Sequence, residues 1–471
     1  MTNRILLAFI AIILPPVLGK GLERPNILFL VSDDHSAAFV GCYGNEDVKT
    51  PNLDNLAAEG IRFNHAYTTA SQCVPSRASL ITSRNVVDIR MLRFSAPLDK
   101  NIITFPELLR EAGYYTGIGG RGHHLDGSGA KAPETIDAFE EFEMVTIPDR
   151  FDYLQGGSDN RVLEVITEFL DEVPEGKPFF MWANYSDPHR PYTASDFEPD
   201  PETITVPEGM PDTRLLREDL VGHLGEVNRL DYHIGQVFEE LKDRGLYDNT
   251  LIVFIGDHGS PVLRGKGTLY QQGLHVPLIA RYPGIIEPGT VSNILVSGKD
   301  IGLTMLDLAG VEPDREMTGK SFKHAFQGDE TENHEYLFAA RGSHASGLPV
   351  NSAMFDMSRS VFNQEYRLIY NAMWQLPYTP VDFWLEPFWR ELRRLHEDGE
   401  LEERFSGTAI FTEQRPMFEF FDLRNDPHEF VNLSGRDEYE ELEREFKAQL
   451  HRWMIIYRDS IPLPIPPGPR N

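Results

Sequence analysis

Two short polar clusters, Asp33-Asp34 and Asp257-His258, each follow a run of apolar residues, Asn26 to Val31 and Thr250 to Ile255. A third run, Pro178 to Tyr185, leads into Ser186-Asp187-Pro188-His189. Carboxylates gathered at the ends of neighbouring strands repel one another unless a cation sits among them. An oxygen-rich set suits a hard divalent ion such as Ca2+ or Mg2+. Separate capping of a helix by each Asp is the alternative. One of only two cysteines, Cys73, stands before Val74-Pro75-Ser76-Arg77. Pro75 suits a first helical turn, which puts Cys73 at a helix N-terminus, where free backbone N–H groups and Arg77 one turn on favour an anion. A cation on one side and an anion-binding helix start on the other describe a site for transferring or hydrolysing a charged ester. A Cys42–Cys73 disulfide is the competing use of the pair.

These residues need a scaffold that brings strand ends together. The three apolar runs are continuous rather than alternating, the pattern of parallel strands covered on both faces. Leu216, Leu220, Leu224, Val227, Leu230, Ile234, Val237 and Leu241 are three or four apart, so one long helix with a single apolar stripe is predicted, stopped by Gly245. It returns the chain to the Thr250 strand in a right-handed crossover. Shorter helical patterns lie in "TPNLDNLAAEG" and "TFPELLREAGY". The expected fold is α/β, a large, mostly parallel mixed sheet sandwiched by helices, with the site outside the carboxyl ends of its strands. Near Leu348 the texture turns rich in Trp, Phe, Pro and Tyr. Residues 24–349 are therefore assigned to the catalytic α/β domain. Residues 350–471 are assigned to a smaller α+β unit with a short antiparallel sheet and an amphipathic helix from about Tyr439 to Met454.

Hydrophobic residues make up 41% of the 471, ample for a core of this size. The net charge of −29 argues against nucleic acid and anionic membranes as partners, since their phosphates would be repelled. At the N-terminus Arg4 precedes an apolar run from Ile5 to Leu14, followed by small and turn residues. That run is too short for a membrane span and has the layout of a secretory signal peptide over residues 1–20. The mature chain is thus expected in the periplasm or outside the cell, with no membrane association after cleavage.

"CVPSRASLITSR" resembles the signature of the type I sulfatases, in which the cysteine of C-x-P-S-R is oxidised to formylglycine. "NILFLVSDDHS", "GYYTGIGGRGHH", "DPHRPY", "FIGDHG" and "GKGTLYQQG" resemble further blocks of that family, in family order. Within it, "YSDPHRPY" and the stretch from "SRSVFNQEYRLIY" to "FFDLRNDPHEFVNL" are most similar to the N-sulfoglucosamine sulfohydrolase branch. The resemblance implies an alkaline-phosphatase-like fold, and Ca2+ held by Asp33, Asp34, Asp257, His258 and modified Cys73. It implies a gem-diol nucleophile at position 73, made by a formylglycine-generating or anaerobic sulfatase-maturating enzyme. Arg77, Arg121, His123 and Lys266 would surround the sulfate, His123 would also act as base in its release, and His189 would protonate the leaving group. Asp187 and Arg190 become candidates for binding a sulfated mono-, oligo- or polysaccharide. Three positions depart from the family pattern: Arg121 stands in place of Lys, Gly122 in place of an aromatic, and Ser83 in place of the Gly of T-G-R. A phosphoesterase or phosphonate hydrolase of the same superfamily, or a glycan-binding protein with unmodified Cys73, are the other readings.

Overall fold

The computed structural model describes residues 24–93, 97–121, 125–127, 133–344 and 351–464. The expected signal segment, residues 1–20, lies outside them, and no helix among the described residues is long and apolar enough to cross a membrane.

Eight strands form the large sheet: β1 (Asn26–Ser32), β2 (Ile61–Tyr67), β3 (Tyr115–Gly120), β4 (Tyr153–Gly156), β5 (Phe179–Asn184), β6 (Thr250–Gly256), β7 (Leu278–Arg281) and β8 (Thr290–Ser297). Their order is β4-β3-β5-β1-β6-β7-β2-β8. Only β7 runs antiparallel to its neighbours β6 and β2, so the sheet is mixed but mostly parallel, as anticipated. The three strands read from sequence are the central ones. Val31 pairs with Asn184, and Ser32 pairs with Gly256. Because these registers align the carboxyl ends of β5, β1 and β6, the polar residues after each strand emerge side by side.

Every residue of β1, β5 and β6 is buried, for the reason their continuous apolar runs indicated: helices cover both faces. On one face Phe29, Val31 and Ile255 pack with residues of α2 (Cys73–Thr82), α3 (Phe105–Glu111) and α6 (Asp300–Ala309), including Val74, Ile81, Leu109 and Ile301. On the other, Leu28, Leu30 and Ile252 meet α1 (Pro51–Ala58), α4 (Val162–Glu172) and α5 (Arg214–Asp243) through Leu53, Phe169, Leu230, Ile234 and Val237. The long helix α5 is capped by Thr213 Oγ1, which accepts from Leu216 N at 3.3 Å. Gly245, just past its end, takes φ 66, where a Cβ is disfavoured.

A second, antiparallel sheet has the order β12-β11-β10-β9. Its strands are β9 (Leu337–Arg341), β10 (Ser358–Phe362), β11 (Tyr366–Asn371) and β12 (Phe418–Asp422), so its edge strand comes from upstream of the texture change near Leu348. One face carries Val361, Leu368 and Phe420 against Phe446, Leu450 and Trp453 of the helix Glu440–Ile456. The other presents Phe362, Ile369 and Phe421 to Leu263, Leu269 and Tyr270 of the large unit. Apolar burial across that seam carries segment 351–389 to the carboxyl end of the large sheet.

Candidate active site

Asp33 and Asp34 leave the end of β1 together. In an extended strand their side chains would point to opposite faces. Asp34 instead adopts φ 62, a left-handed conformation costly for a non-glycine residue. Ligand atoms of Asp33, Asp34, Cys73 and His258 all lie within 4.8 Å of one another, every one of them buried. Asp257 falls outside this group. Its Oδ1 accepts from the backbone N–H groups of Asp34 at 3.1 Å and His258 at 2.8 Å, and its Oδ2 accepts from Arg77 Nε at 2.9 Å. Asp257 thus ties β1, β6 and α2 together, with its Oδ1 3.7 Å from His258 Nε2.

Cys73 is the first residue of α2 and is fully buried. Its Sγ lies 3.4 Å from Asp33 Oδ1 and 3.2 Å from His258 Nε2. The disulfide alternative is overturned: both cysteines are free, Cys42 sitting in a turn on the other side of the sheet's core. Burial, then the Asp33 carboxylate, holds the Cys73 thiol well above its usual pKa, so it stays protonated and unreactive as a thiol. At the far end of α2, Ser83 takes φ 52, a left-handed cap position that glycine would hold with less strain.

Three cations and an imidazole converge on this group. Arg77, fully buried, adds a 3.3 Å contact to Asp33 and donates to Asn184 Oδ1 at 2.6 Å. Arg121, following β3, ion-pairs with Asp33 Oδ2. Burial raises the pKa of Asp33, but Arg121 and Arg77 outweigh it and hold the carboxyl well below the usual range. Lys266 Nζ lies 2.8 and 3.0 Å from the two oxygens of Asp34. His189 Nε2 is 3.9 Å from Asp34, while its Nδ1 faces the Arg190 carbonyl. Burial, with Lys266 next, pushes this imidazole down to about 4. His123 lies outside the described residues.

The donor set fits a hard divalent cation. Asp34 remains under-compensated: burial pushes its carboxyl up to about 7, with Lys266 opposing and Asp33 adding to the rise. A cation among two carboxylates, an imidazole and the residue at 73 would relieve that.

Two residues of the site had no signature in the sequence. Asp382, from the aromatic-rich segment, adopts φ 68 and ion-pairs with Lys266. It also lies 3.7 Å from both His189 Nε2 and His344 Nε2, and His344 Nδ1 in turn meets Gln72 Nε2 at 3.2 Å, one residue before Cys73. Burial opposes ionisation of Asp382, but Lys266 and then His344 keep it well below the usual carboxylate range. Lys266 is therefore positioned by Asp34 on one side and Asp382 on the other. Asp382→Asn keeps the side chain's shape and removes its charge. We expect kcat/KM to fall by about 10- to 100-fold with the melting temperature near wild type; an unchanged kcat/KM would rule out a positioning role.

Outside the buried group, two clefts of about 610 and 490 Å3 share His189, Arg190 and Pro191 as a dividing rib. Arg190 donates to Asp219 Oδ1 at 2.7 Å and lies 4.4 Å over the Tyr192 ring. Asp187 lines the smaller cleft, but both its oxygens are held by Arg229, at 2.7 and 2.8 Å.

The family model described as Sulfatase matches residues 25–311, and the one described as N-sulphoglucosamine sulphohydrolase, C-terminal, matches residues 256–373. Human N-sulphoglucosamine sulphohydrolase is 28% identical over 93% of this chain and 91% of its own. An ulvan-active sulfatase of Formosa agariphila is 29% identical over 94% of this chain and 76% of its own. Among solved structures, one in complex with D-glucosamine-2-N,6-O-disulfate superposes with a TM-score of 0.69 at 20% identity, covering 93% of this chain and 99% of that one. A phosphonate monoester hydrolase from Silicibacter pomeroyi superposes with a TM-score of 0.70 at 20% identity, covering 93% of this chain and 96% of that one. Both solved structures share the fold. With the Sulfatase match running from residue 25 to residue 311, well over half of its length, this chain belongs to the sulfatase family.

Proposed function

We propose that the protein is an exported sulfatase that hydrolyses a sulfate ester or sulfamate on a sulfated sugar, using formylglycine at position 73 and a bound Ca2+. The observation that carries this is the setting of Cys73. A thiol that burial and carboxylates hold above its usual pKa is a poor nucleophile, yet it lies among the cation-binding group, whose Asp33 pairs with Arg77 and Arg121 and whose Asp34 pairs with Lys266. Oxidation to the aldehyde resolves the contradiction. When formed and hydrated, formylglycine supplies a gem-diol, one hydroxyl to attack sulfur and a second to expel sulfate. Asp33, Asp34, His258 and residue 73 would hold Ca2+, with Asp257 fixing the two strand ends behind them. When bound there, the ion would supply Lewis acidity.

The remaining work falls to side chains. Lys266, beside Asp34, and Arg121, beside Asp33, offer cations for the non-bridging sulfate oxygens. Arg77 is held by Asp33, Asp257 and Asn184, with its Nη2 making no hydrogen bond, and so contributes a fixed positive charge to the pocket floor. His189 presents Nε2 to the pocket because Nδ1 faces the Arg190 carbonyl, which places it to protonate the leaving oxygen or nitrogen. The negative charge of a bound sulfate beside Lys266 offsets the repulsion that otherwise disfavours the imidazolium. The match to the N-sulphoglucosamine sulphohydrolase C-terminal model supports a sugar substrate.

The test has two parts. The peptide containing residue 73, from protein made with a maturating enzyme, is expected to weigh ~18 Da less than its thiol form, since the conversion exchanges SH and H for O. That preparation should hydrolyse 4-nitrophenyl sulfate at least about 100-fold faster than 4-nitrophenyl phosphate. Faster phosphate cleavage would assign the protein to phosphoester chemistry. An unmodified thiol with no turnover would leave only glycan binding.

A further inference from the structure

The two clefts flanking His189 differ in charge, and the difference bears on which sugar the site accepts. The 610 Å3 cleft is lined by Tyr192, Glu198, Glu218, Asp219, Glu386 and Phe388, and reaches the reaction centre through His189 and Asp382. Its cations are already engaged. Arg190, the one Arg or Lys lining it among the described residues, is held by Asp219; behind the lining, Lys266 is held by Asp34 and Asp382, and Arg214 reaches Glu218 at 3.4 Å. Glu198 and Glu386 have no ion-pair partner among the described residues, so the cleft carries uncompensated negative charge in a chain already at −29.

One other feature points to a neutral ring as the occupant: Pro387 and Leu215 provide apolar surface suited to the C–H face of a pyranose. His189 and Asp382 both line this cleft, so a sugar seated in it would lie against His189 and the Asp382 that pairs with Lys266.

We propose that the 610 Å3 cleft is the saccharide subsite, and that Glu198 and Glu386 restrict it to a sugar unit bearing no sulfate other than the one being removed. The inference rests on the sulfated-sugar reading above and sharpens it: the substrate class is singly sulfated at the unit held here. Enzymes acting earlier on a more heavily sulfated glycan would have to remove the other sulfates first.

The experiment compares kcat/KM for D-glucosamine carrying one sulfate, at N, 3-O or 6-O, with kcat/KM for D-glucosamine 2-N,6-O-disulfate. The best singly sulfated compound is expected to exceed the disulfate by about tenfold or more at low ionic strength, mainly through KM. Added salt should shrink that ratio, because the discrimination is electrostatic. In the Glu198→Gln/Glu386→Gln double variant, its folding checked by thermal melting, the ratio should drop below about threefold. Equal or faster turnover of the disulfate by the wild-type enzyme overturns the restriction, as does a ratio that neither salt nor the double variant alters. The salt arm decides even where the variant does not fold. Inactivity toward every one of these sugars, with aryl sulfate still hydrolysed, instead overturns glucosamine as the sugar unit held in this cleft.

Discussion

Cys73→Ser is expected to lower steady-state kcat/KM by about 1,000-fold or more while leaving the melting temperature close to that of the wild type. Serine fits the space, because Cys73 is fully buried and is tied to its surroundings only by weak contacts of Sγ with Asp33 and His258. The loss is chemical. Serine carries one hydroxyl where the proposed gem-diol has two. A sulfate transferred to it has no neighbouring hydroxyl to expel it, so turnover stops after at most one equivalent of sugar is released. Rapid-quench measurement of product against enzyme concentration separates this outcome from simple inactivity. A variant that turns over repeatedly at a rate near wild type would remove position 73 from the chemistry.

Arg77→Ala is expected to cost about 3–5 kcal/mol of stability and to abolish activity. Arg77 is completely buried and joins three elements: Asp33 after β1, Asp257 after β6 and Asn184 at the end of β5. Removing the guanidinium leaves two buried carboxylates facing each other with less compensation, since Arg121 reaches only Asp33. An alanine also leaves an unfilled volume in a close-packed region. Arg77→Lys restores the charge but not the planar fork, so it should recover part of the stability and little of the activity. Denaturant unfolding of both variants, with activity assayed under folding conditions, checks the pair. A loss below about 1 kcal/mol for the alanine variant would mean that the charge cluster does not depend on Arg77.

Much of this arrangement was legible in the residues themselves. The continuous apolar runs at Asn26, Pro178 and Thr250 announced the three central strands. The three-and-four spacing from Leu216 to Leu241 marked a helix that the structure extends over Arg214–Asp243. Pro75 placed Cys73 at the start of a helix, where it stands. Each of these signals is local, because burial on one or two faces and the chemistry of a helix start constrain residues a few positions apart.

Other features depended on segments distant in sequence. No local pattern indicated that β7 would run against its neighbours, or that Asp257 would spend its oxygens on backbone N–H groups and Arg77 rather than join the inner group of four. Nor did any motif mark Asp382, whose charge faces Lys266 only because the small sheet seats its apolar face on the large unit. The competing reading, a pairing of the two cysteines, failed for the same reason, since separation across a fold cannot be read from an even count. By itself the sequence determined the elements, the polar residues that end them and the family. Which carboxylate meets which cation, and what charge surrounds the substrate, was decided by strand register and by the docking of the two sheets, because electrostatic interactions depend on distances that only the packed chain sets.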